Sequence, residues 1–397
     1  MPKSPLMNPA TSMLRPSVFS TLAAQFKLLP APPVPLHLGD TYRSPPESGR
    51  LERAVGHLPA NGYAYAHPNG SEELRSAVAE RLAVKGLPGY TADNIQVTQG
   101  GSGAIATFVR TMIAPGDEVL LLAPFWPLVR GIVLSAGAVP VEVPFYQELR
   151  NGTPAADIIA PYLTERTAAL YITSPNNPCG TVVDPEASRA VAELCIHNDL
   201  WVIDDQAYHD YVFEGQHTFM ATLPGMVDRT ATILTASKSF ALAGLRIGFV
   251  CGSTEWMESA RRTATHLWYQ VPLICQQAVL SAVQDSEEWI DETRDIYRMS
   301  AELVHRKLQA KFAPSQGGGY VFADLTEELN GRPILDYLLE LLYEGVCIAP
   351  GDAFGQAYSN WARICYTAVP LAELERGIDR LNRSLERLRA GQPLAQQ

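Results

Sequence analysis

The chain carries few marks of a secreted, membrane-spanning or nucleic-acid-binding protein. Its six cysteines (Cys179, Cys195, Cys251, Cys275, Cys347, Cys365) form no C-x-x-C pair and no metal-ligand spacing. They read as buried thiols of a reducing compartment, and no metal site is expected. No apolar run nears the ~20 residues that a bilayer crossing requires. Runs of Lys or Arg are missing and the formal net charge is −11, which argues against nucleic acid or an anionic membrane as the main partner. Internal repeats and low-complexity blocks are missing as well. The first 30 residues hold three basic residues and no acid. They lack the long apolar centre of a secretory signal, and an arm packed on the body is preferred over a transit peptide. The expected location is cytoplasmic.

What is present suits a soluble globular protein with room for two or three cores: 397 residues, 47% hydrophobic and 18% charged. The proline-rich stretch 30–46 predicts an extended connection leading into the main fold. From there short apolar strands alternate with helices. Residues 71–86 have Leu74, Val78 and Leu82 at helical spacing, with Ser71 as N-cap. Strands are predicted at 95–99, 117–124, 139–145, 168–173, 200–205, 231–237 and 246–252. That alternation means a largely parallel sheet covered on both faces. After about residue 285 the pattern changes to long helices over 285–312, strands in "GGGYVFADL", "GVCIAPG" and "WARICYTA", and a final helix from 371. The expected organisation is an arm contributing to a small domain (1–48), a large α/β domain (49–285), a small α+β domain (286–390) and a frayed tail (391–397).

The segment "IQVTQGGSGAIATFVRTMI" (95–113) predicts a strand, a glycine-rich turn and a helix, an arrangement that holds phosphate on free N–H groups at the positive helix end. Its G-x-G-x-x-A fits a loose dinucleotide fingerprint. A dinucleotide site also needs an acid at the end of the second strand. Here Asp117 and Glu118 precede that strand, which runs out into "APFWP" with no acid. The phosphate is therefore read as a monoester. Further on, "TASKSFALAGLRIGF" (235–249) sets a lysine after a strand and an arginine eight residues later. Upstream lie "IDDQAY" (203–208) and "SPNNPCG" (174–180). Together these meet the needs of pyridoxal phosphate: a lysine amine for its aldehyde, a buried carboxylate for its pyridine nitrogen, donors for its phenolic oxygen, and amides, hydroxyls and an arginine for its phosphate. All of them are expected at C-terminal ends of parallel strands.

From about residue 36 to 388 these motifs closely resemble the class I/II aminotransferases, the fold-type I pyridoxal phosphate enzymes. The resemblance implies a large domain with a mostly parallel, seven-stranded-type sheet between helices and a smaller α+β domain. It makes Lys238 the Schiff-base lysine and the proton carrier between the substrate Cα and the cofactor. Asp205, with Tyr208 three residues on, matches the pyridine-nitrogen partner. Asp204 faces the other way along a strand and is read as structural. Tyr208 and Asn177 match the pair on the phenolic oxygen. Gly101, Ser102, Thr235 and Arg246 match the phosphate cup, with Ser237 and Gly100 as further candidates, and Thr235 replaces the family's Gly or Ser. Trp126 matches the aromatic stacked on the ring. Cys179 stands where relatives carry threonine and reads as a tolerated small residue.

Arg363 matches the arginine that clamps the substrate carboxylate, and Gly39 a backbone contact to the same group. Tyr65, with Tyr63 as competitor, matches a tyrosine that reaches the neighbouring subunit's phosphate, which implies a homodimer with shared sites. The expected activity is transfer of an amino group between an L-amino acid, neutral or aromatic, and a 2-oxo acid. The same framework also serves C–S lyases, aminocyclopropane-carboxylate-type synthases, decarboxylases and oxidases. A transcription regulator on this fold would need a DNA-binding domain that is not seen ahead of residue 36. Near "RRTATHLWYQVP" (261–272), His266, Trp268 and Tyr269 are candidates for the substrate pocket, whereas Arg261 and Arg262 read as a solvated helix face.

Overall fold

The computed structural model describes residues 9–14, 22, 25–56, 58 and 62–391. In chain order its strands are β1 (Val34–Pro35), β2 (Ile95–Gln99), β3 (Glu118–Ala123), β4 (Val139–Pro144), β5 (Thr167–Thr173), β6 (Trp201–Asp205), β7 (Thr230–Thr235), β8 (Ile247–Cys251), β9 (Lys311–Phe312), β10 (Tyr320–Asp324), β11 (Val346–Cys347), β12 (Ala349–Pro350) and β13 (Trp361–Cys365). Seven of them form the central sheet, in the order β2-β8-β7-β6-β5-β3-β4. Every strand of it is parallel except β8, which runs antiparallel to both neighbours. The sheet is therefore mostly parallel, as expected.

Alternation along the strands explains why both faces are covered. Val119, Leu121, Tyr171, Ile203 and Ile233 point to one face, where they meet Ile105 and Phe108 of the helix Gly100–Met112 and Trp256 of the helix Thr254–Trp268. Leu120, Leu122, Leu170, Ile172 and Val202 point to the other and meet Val191 and Cys195 of the helix Pro185–His197. Asp184 starts that helix by accepting hydrogen bonds from Glu186 N and Ala187 N, and Pro185 occupies the first helical position, where no N–H is needed. The helix Glu72–Val84 likewise begins at Ser71, which accepts from Leu74 N, and buries Leu74, Val78 and Leu82.

A second, four-stranded antiparallel sheet has the order β12-β13-β10-β9. The stretch "GVCIAPG" is not one strand. Val346–Cys347 pairs in parallel with β1, and Ala349–Pro350 pairs with β13. The 285–312 helix also ends early: Glu287–Lys307 is helical, Leu308 turns extended, and Lys311–Phe312 becomes a strand. The closing helix Leu371–Arg389 buries Leu374, Ile378, Leu381 and Leu385 as one stripe. Of the N-terminal arm, Leu22 is fully buried in the core, and the helix Pro9–Ser12 lies against the helix Pro127–Ser135. The tail expected beyond Gly391 lies outside the described residues. No helix among the described residues is long and apolar enough to cross a membrane.

Candidate active site

Because β2, β3, β5, β6 and β7 are parallel, their C-terminal ends share one edge of the sheet, and the reversed β8 begins at that same edge. The chain leaves these ends through Gly100–Ser102, Trp126, Asn177, Tyr208 and Lys238, and it enters β8 through Arg246. An open cavity of about 790 Å³ lies there. Gly101, Ser102, Trp126, Thr173, Asn177, Asp205, Tyr208, Thr235, Ser237, Lys238 and Arg246 all line it. A smaller pocket of about 270 Å³ shares Tyr208, Ser237 and Lys238 and adds Gly39, Asp40, Thr41, Tyr297 and Tyr320.

Lys238 sits in the one-turn helix Ala236–Ser239, which Thr235 opens by accepting from Ser237 N. Its Nζ donates to the Gly39 carbonyl. Burial pushes its amine below the usual lysine range; the Arg363 and Arg246 guanidiniums push the same way, against the pull of Asp40. Lys238 is thereby set up as an amine that loses its proton more readily than a solvated lysine.

Asp205 is buried, and both of its oxygens are engaged. Ala207 N donates to Oδ1 at 3.2 Å and the Tyr171 hydroxyl to Oδ2 at 2.6 Å. Burial lifts its carboxyl above the usual range, and these two bonds oppose the rise. Asp204 faces the opposite side of the sheet, as strand alternation requires. It accepts from Gln206 Nε2 at 2.6 Å and Met220 N at 3.0 Å, and burial pushes it up to about 7.

The glycine-rich segment is not a separate turn. Gly100–Gly103 already form the first turn of the helix, and no side chain caps its amides. Gly100 has φ +71°, and a Cβ there would come within 2.5 Å of Arg246 Nη2. The glycine thus permits both the turn and the approach of the guanidinium. Arg246 itself is left-handed (φ 54°), and its Nη1 donates to Ala243 O at 2.9 Å.

Arg363 lies in the "WARICYTA" strand expected in the small domain. It projects from the middle of antiparallel β13, so the second sheet supplies it. It is buried between the Tyr320 and Phe354 rings, 4.5 and 4.8 Å from their centroids. Nη1 donates to Asn177 Oδ1 at 3.1 Å and Nη2 to His37 O at 2.7 Å, while Nε is buried with no partner among the described residues. A Cβ on Gly39 would fall 2.9 Å from Tyr320 Oη and 3.4 Å from Arg363 Nη2. Only glycine leaves that approach open.

One expectation ends differently, the solvated side chain at Arg261. Tyr65 is not among the cavity's lining; it is 84% exposed and packs edge-on against Tyr269 at 5.1 Å, while Tyr63 is almost wholly exposed. Arg261 is not a solvated side chain, because it donates to the carbonyls of Ala92 and Asp93. Arg262 does stay at the surface, paired with Glu258. Cys179 is enclosed by Asn176 and Thr181, and burial pushes its thiol up, as suits a small packed residue.

Sequence reasoning passed over Tyr171, Tyr320 and Phe354. The Tyr320 hydroxyl lies 2.6 Å from that of Tyr208. For Tyr171 a signal existed, since it lies on the same face of β5 as Thr173, the residue paired with Asp205. Of the two ring neighbours of Arg363, Tyr320 comes from a separate strand and Phe354 from the turn between β12 and β13, and neither left a local pattern.

Residues 59–381 match the family model described as aminotransferase class I and II. The chain belongs to the class I and II aminotransferases. Membership makes it a pyridoxal phosphate-dependent aminotransferase acting on amino acids and 2-oxo acids. The aminotransferase is 32% identical over 336 residues to the arginine–pyruvate transaminase of Pseudomonas aeruginosa, covering 83% of this chain and 84% of that one. It is 31% identical over 336 residues to an aromatic-amino-acid aminotransferase of Thermococcus litoralis, covering 82% and 85%. Among solved structures, a mutant of the Thermus thermophilus aspartate aminotransferase superposes with a TM-score of 0.88 at 28% identity, covering 96% of this aminotransferase and all of that chain.

Proposed function

We propose that this aminotransferase takes neutral or aromatic L-amino acids as donors and passes the amino group to a 2-oxo acid, with pyridoxal 5'-phosphate held in the 790 Å³ cavity. The observation that carries the reading is the buried Arg363 guanidinium, its Nε without a partner among the described residues, packed against Gly39, whose carbonyl the desolvated Lys238 bonds. A planar fork and an amine that sheds its proton are what an amino-acid carboxylate and its Cα proton call for.

The residues present fit the cofactor. Uncapped amides of Gly101 and Ser102, the Thr235 and Ser237 hydroxyls and Arg246 make a cup for its phosphate, next to Gly100, where a Cβ would displace the Arg246 guanidinium. Trp126 would cover the ring, Asn177 and Tyr208 would bond its phenolic oxygen, and Asp205 would meet its ring nitrogen. When bound, the cofactor supplies an aldehyde for the amino group and a ring that withdraws electrons from the substrate Cα. Lys238 Nζ, which burial makes readier to shed its own proton, takes the proton from that Cα. Arg363, with Gly39 and Asn177 beside it, holds the carboxylate and so fixes which bond at Cα is presented. Asp205 would offer its carboxylate to the ring nitrogen, the Tyr171 hydroxyl and Ala207 N opposing the rise that burial imposes on it.

Neutral donors are favoured by how Arg43, whose backbone N–H bonds the pocket residue Thr41, is used: it pairs with Glu292 and lies over Trp289. The smaller pocket is walled by Thr41, Tyr297 and Tyr320. The exposure of Tyr65 suits a homodimer in which it serves the partner copy's phosphate cup. In this reading residues 49–285 form the large domain and 286–390, with the arm, the small one. The free cysteines agree with a cytoplasmic location.

A spectrophotometric screen of amino donors tests the substrate class: the cofactor's visible band should give way to the amine form with aromatic and neutral donors. Decay with release of ammonia or pyruvate, and no accumulated amine form, would make the protein a lyase instead.

A further inference from the structure

A polar side chain that is fully buried beside the site, and left without a role in the reaction outlined above, is Tyr171. We propose that Tyr171 is a positioning residue for Asp205: its hydroxyl aims the carboxylate at the cofactor's ring nitrogen and holds it as the anion that keeps that nitrogen protonated. The inference rests on the reading of Asp205 given above.

Strand geometry makes the contact specific. β5 and β6 are parallel neighbours in which Thr173 pairs with Asp205 and Tyr171 with Ile203. Tyr171 and Asp205 therefore share a face, two residues apart along the strand, a distance of ~6.6 Å that a tyrosine side chain spans. The Tyr171 ring is fully buried among apolar residues that include Phe108, Phe125 and Ile203. Phenylalanine would fill that space equally well. The hydroxyl therefore needs its own explanation, because a buried O–H is costly unless bonded. Its bond is the 2.6 Å donation to Asp205 Oδ2.

With Oδ1 held by Ala207 N, the carboxylate is pinned at both oxygens and its remaining lone pairs are left for the cavity that it lines. Burial and the Asp205 charge place the Tyr171 phenol well above the usual tyrosine range, so it remains a donor. The other titratable groups around Asp205 are Asp204 on the opposite face of its own strand, Tyr146 and Tyr208, and Lys238 across the cavity. Among the described residues, Tyr171 is the only titratable side chain that donates to the carboxylate.

The test compares two phosphorylated ring analogues that lack the aldehyde, so that Lys238 forms no covalent bond with either. One keeps the pyridine nitrogen and the other has C–H in its place. Equilibrium binding to the full-length, cofactor-free protein gives a preference ratio. In the parent protein the pyridine analogue should bind more tightly. In Tyr171→Phe that preference should shrink on the order of ten- to thirtyfold, the scale of one hydrogen bond to a charged group. Affinity for the nitrogen-free analogue should hold within about twofold. As a second arm, 3-fluorotyrosine at position 171, a stronger donor of nearly the same volume, should widen the preference. Ile203→Val, in the same apolar cluster, should lower stability without changing the ratio. If the parent shows no preference, the role given to Asp205 fails. If the parent shows it and Tyr171→Phe keeps it, or weakens both analogues equally, Tyr171 is structural and the inference alone fails.

Discussion

Replacing Arg363 by lysine keeps the charge and removes the fork, which makes it an informative perturbation of the substrate site. The guanidinium is locked by Asn177 Oδ1, His37 O and the two rings that sandwich it, and its position within the site follows from those contacts. A carboxylate held by a planar pair of N–H groups gains two charge-assisted bonds, each contributing ~1.5–3 kcal/mol. An ammonium on a shorter, unstacked stem retains one of them at best. The expected loss is ~2–3 kcal/mol, or roughly 30- to 150-fold in kcat/KM. Most of it should appear in KM, because the carboxylate is held in both the ground and the transition state. The assay is the half-reaction rate against donor concentration, run in parallel with the decarboxylated amine of the same side chain. Arg363→Lys should lower kcat/KM for the amino acid and leave that for the amine within about threefold. Equal losses for both donors, or an amino-acid loss below threefold, would refute the assignment.

Further outcomes follow from single contacts. A Cβ at Gly248 would lie 2.3 Å from Gly100 C and 2.6 Å from Gly101 N, so Gly248→Ala should cost about 1–3 kcal/mol and weaken cofactor binding; an unchanged urea midpoint would contradict this. Asp184→Ala removes the cap of the helix Pro185–His197 and should cost about 1 kcal/mol by urea denaturation. Burial holds the imidazoles of His37 and His217 at about 4 and about 3. Below pH 6.5 the unfolded chain takes up these protons while the folded chain does not, so both groups withdraw stability as pH falls from about 6.5 towards 4, and neither acts above 7. Asp204, raised to about 7, has the opposite sign: its contribution is complete at low pH and disappears as pH rises through 7. Imidazole C2–H resonances of His37 and His217 should therefore still be neutral at pH 5, and protonation at pH 6 would count against their burial.

Much of the site was readable because local rules placed it. Strand alternation separated Asp204 from Asp205, and the structure puts them on opposite faces. The strand–glycine–helix pattern located Gly101 and Ser102, and Ser71 capped its helix as its spacing required. What was not readable depended on pairing between distant segments. Strand β8 reads like its neighbours in sequence, and only its pairing reveals that it runs backwards. The sequence placed Arg363 on a strand of the small domain, but no motif near residue 363 announces that β13 lies between β10 and β12 and brings its guanidinium to Asn177. "GVCIAPG" looks like one apolar strand yet splits at Ile348, because β1 captures one half and β13 the other. Arg261 looks solvated by spacing, but the carbonyls it serves come from 92 and 93, far away in the chain.

The central claim is that Lys238 is the amine that captures the cofactor's aldehyde. Borohydride reduction of the protein loaded with pyridoxal phosphate, followed by peptide mapping, tests it most directly. The label should fall on the peptide holding Lys238 and vanish in Lys238→Ala along with turnover. A label on another lysine, or full turnover in Lys238→Ala, would contradict the account.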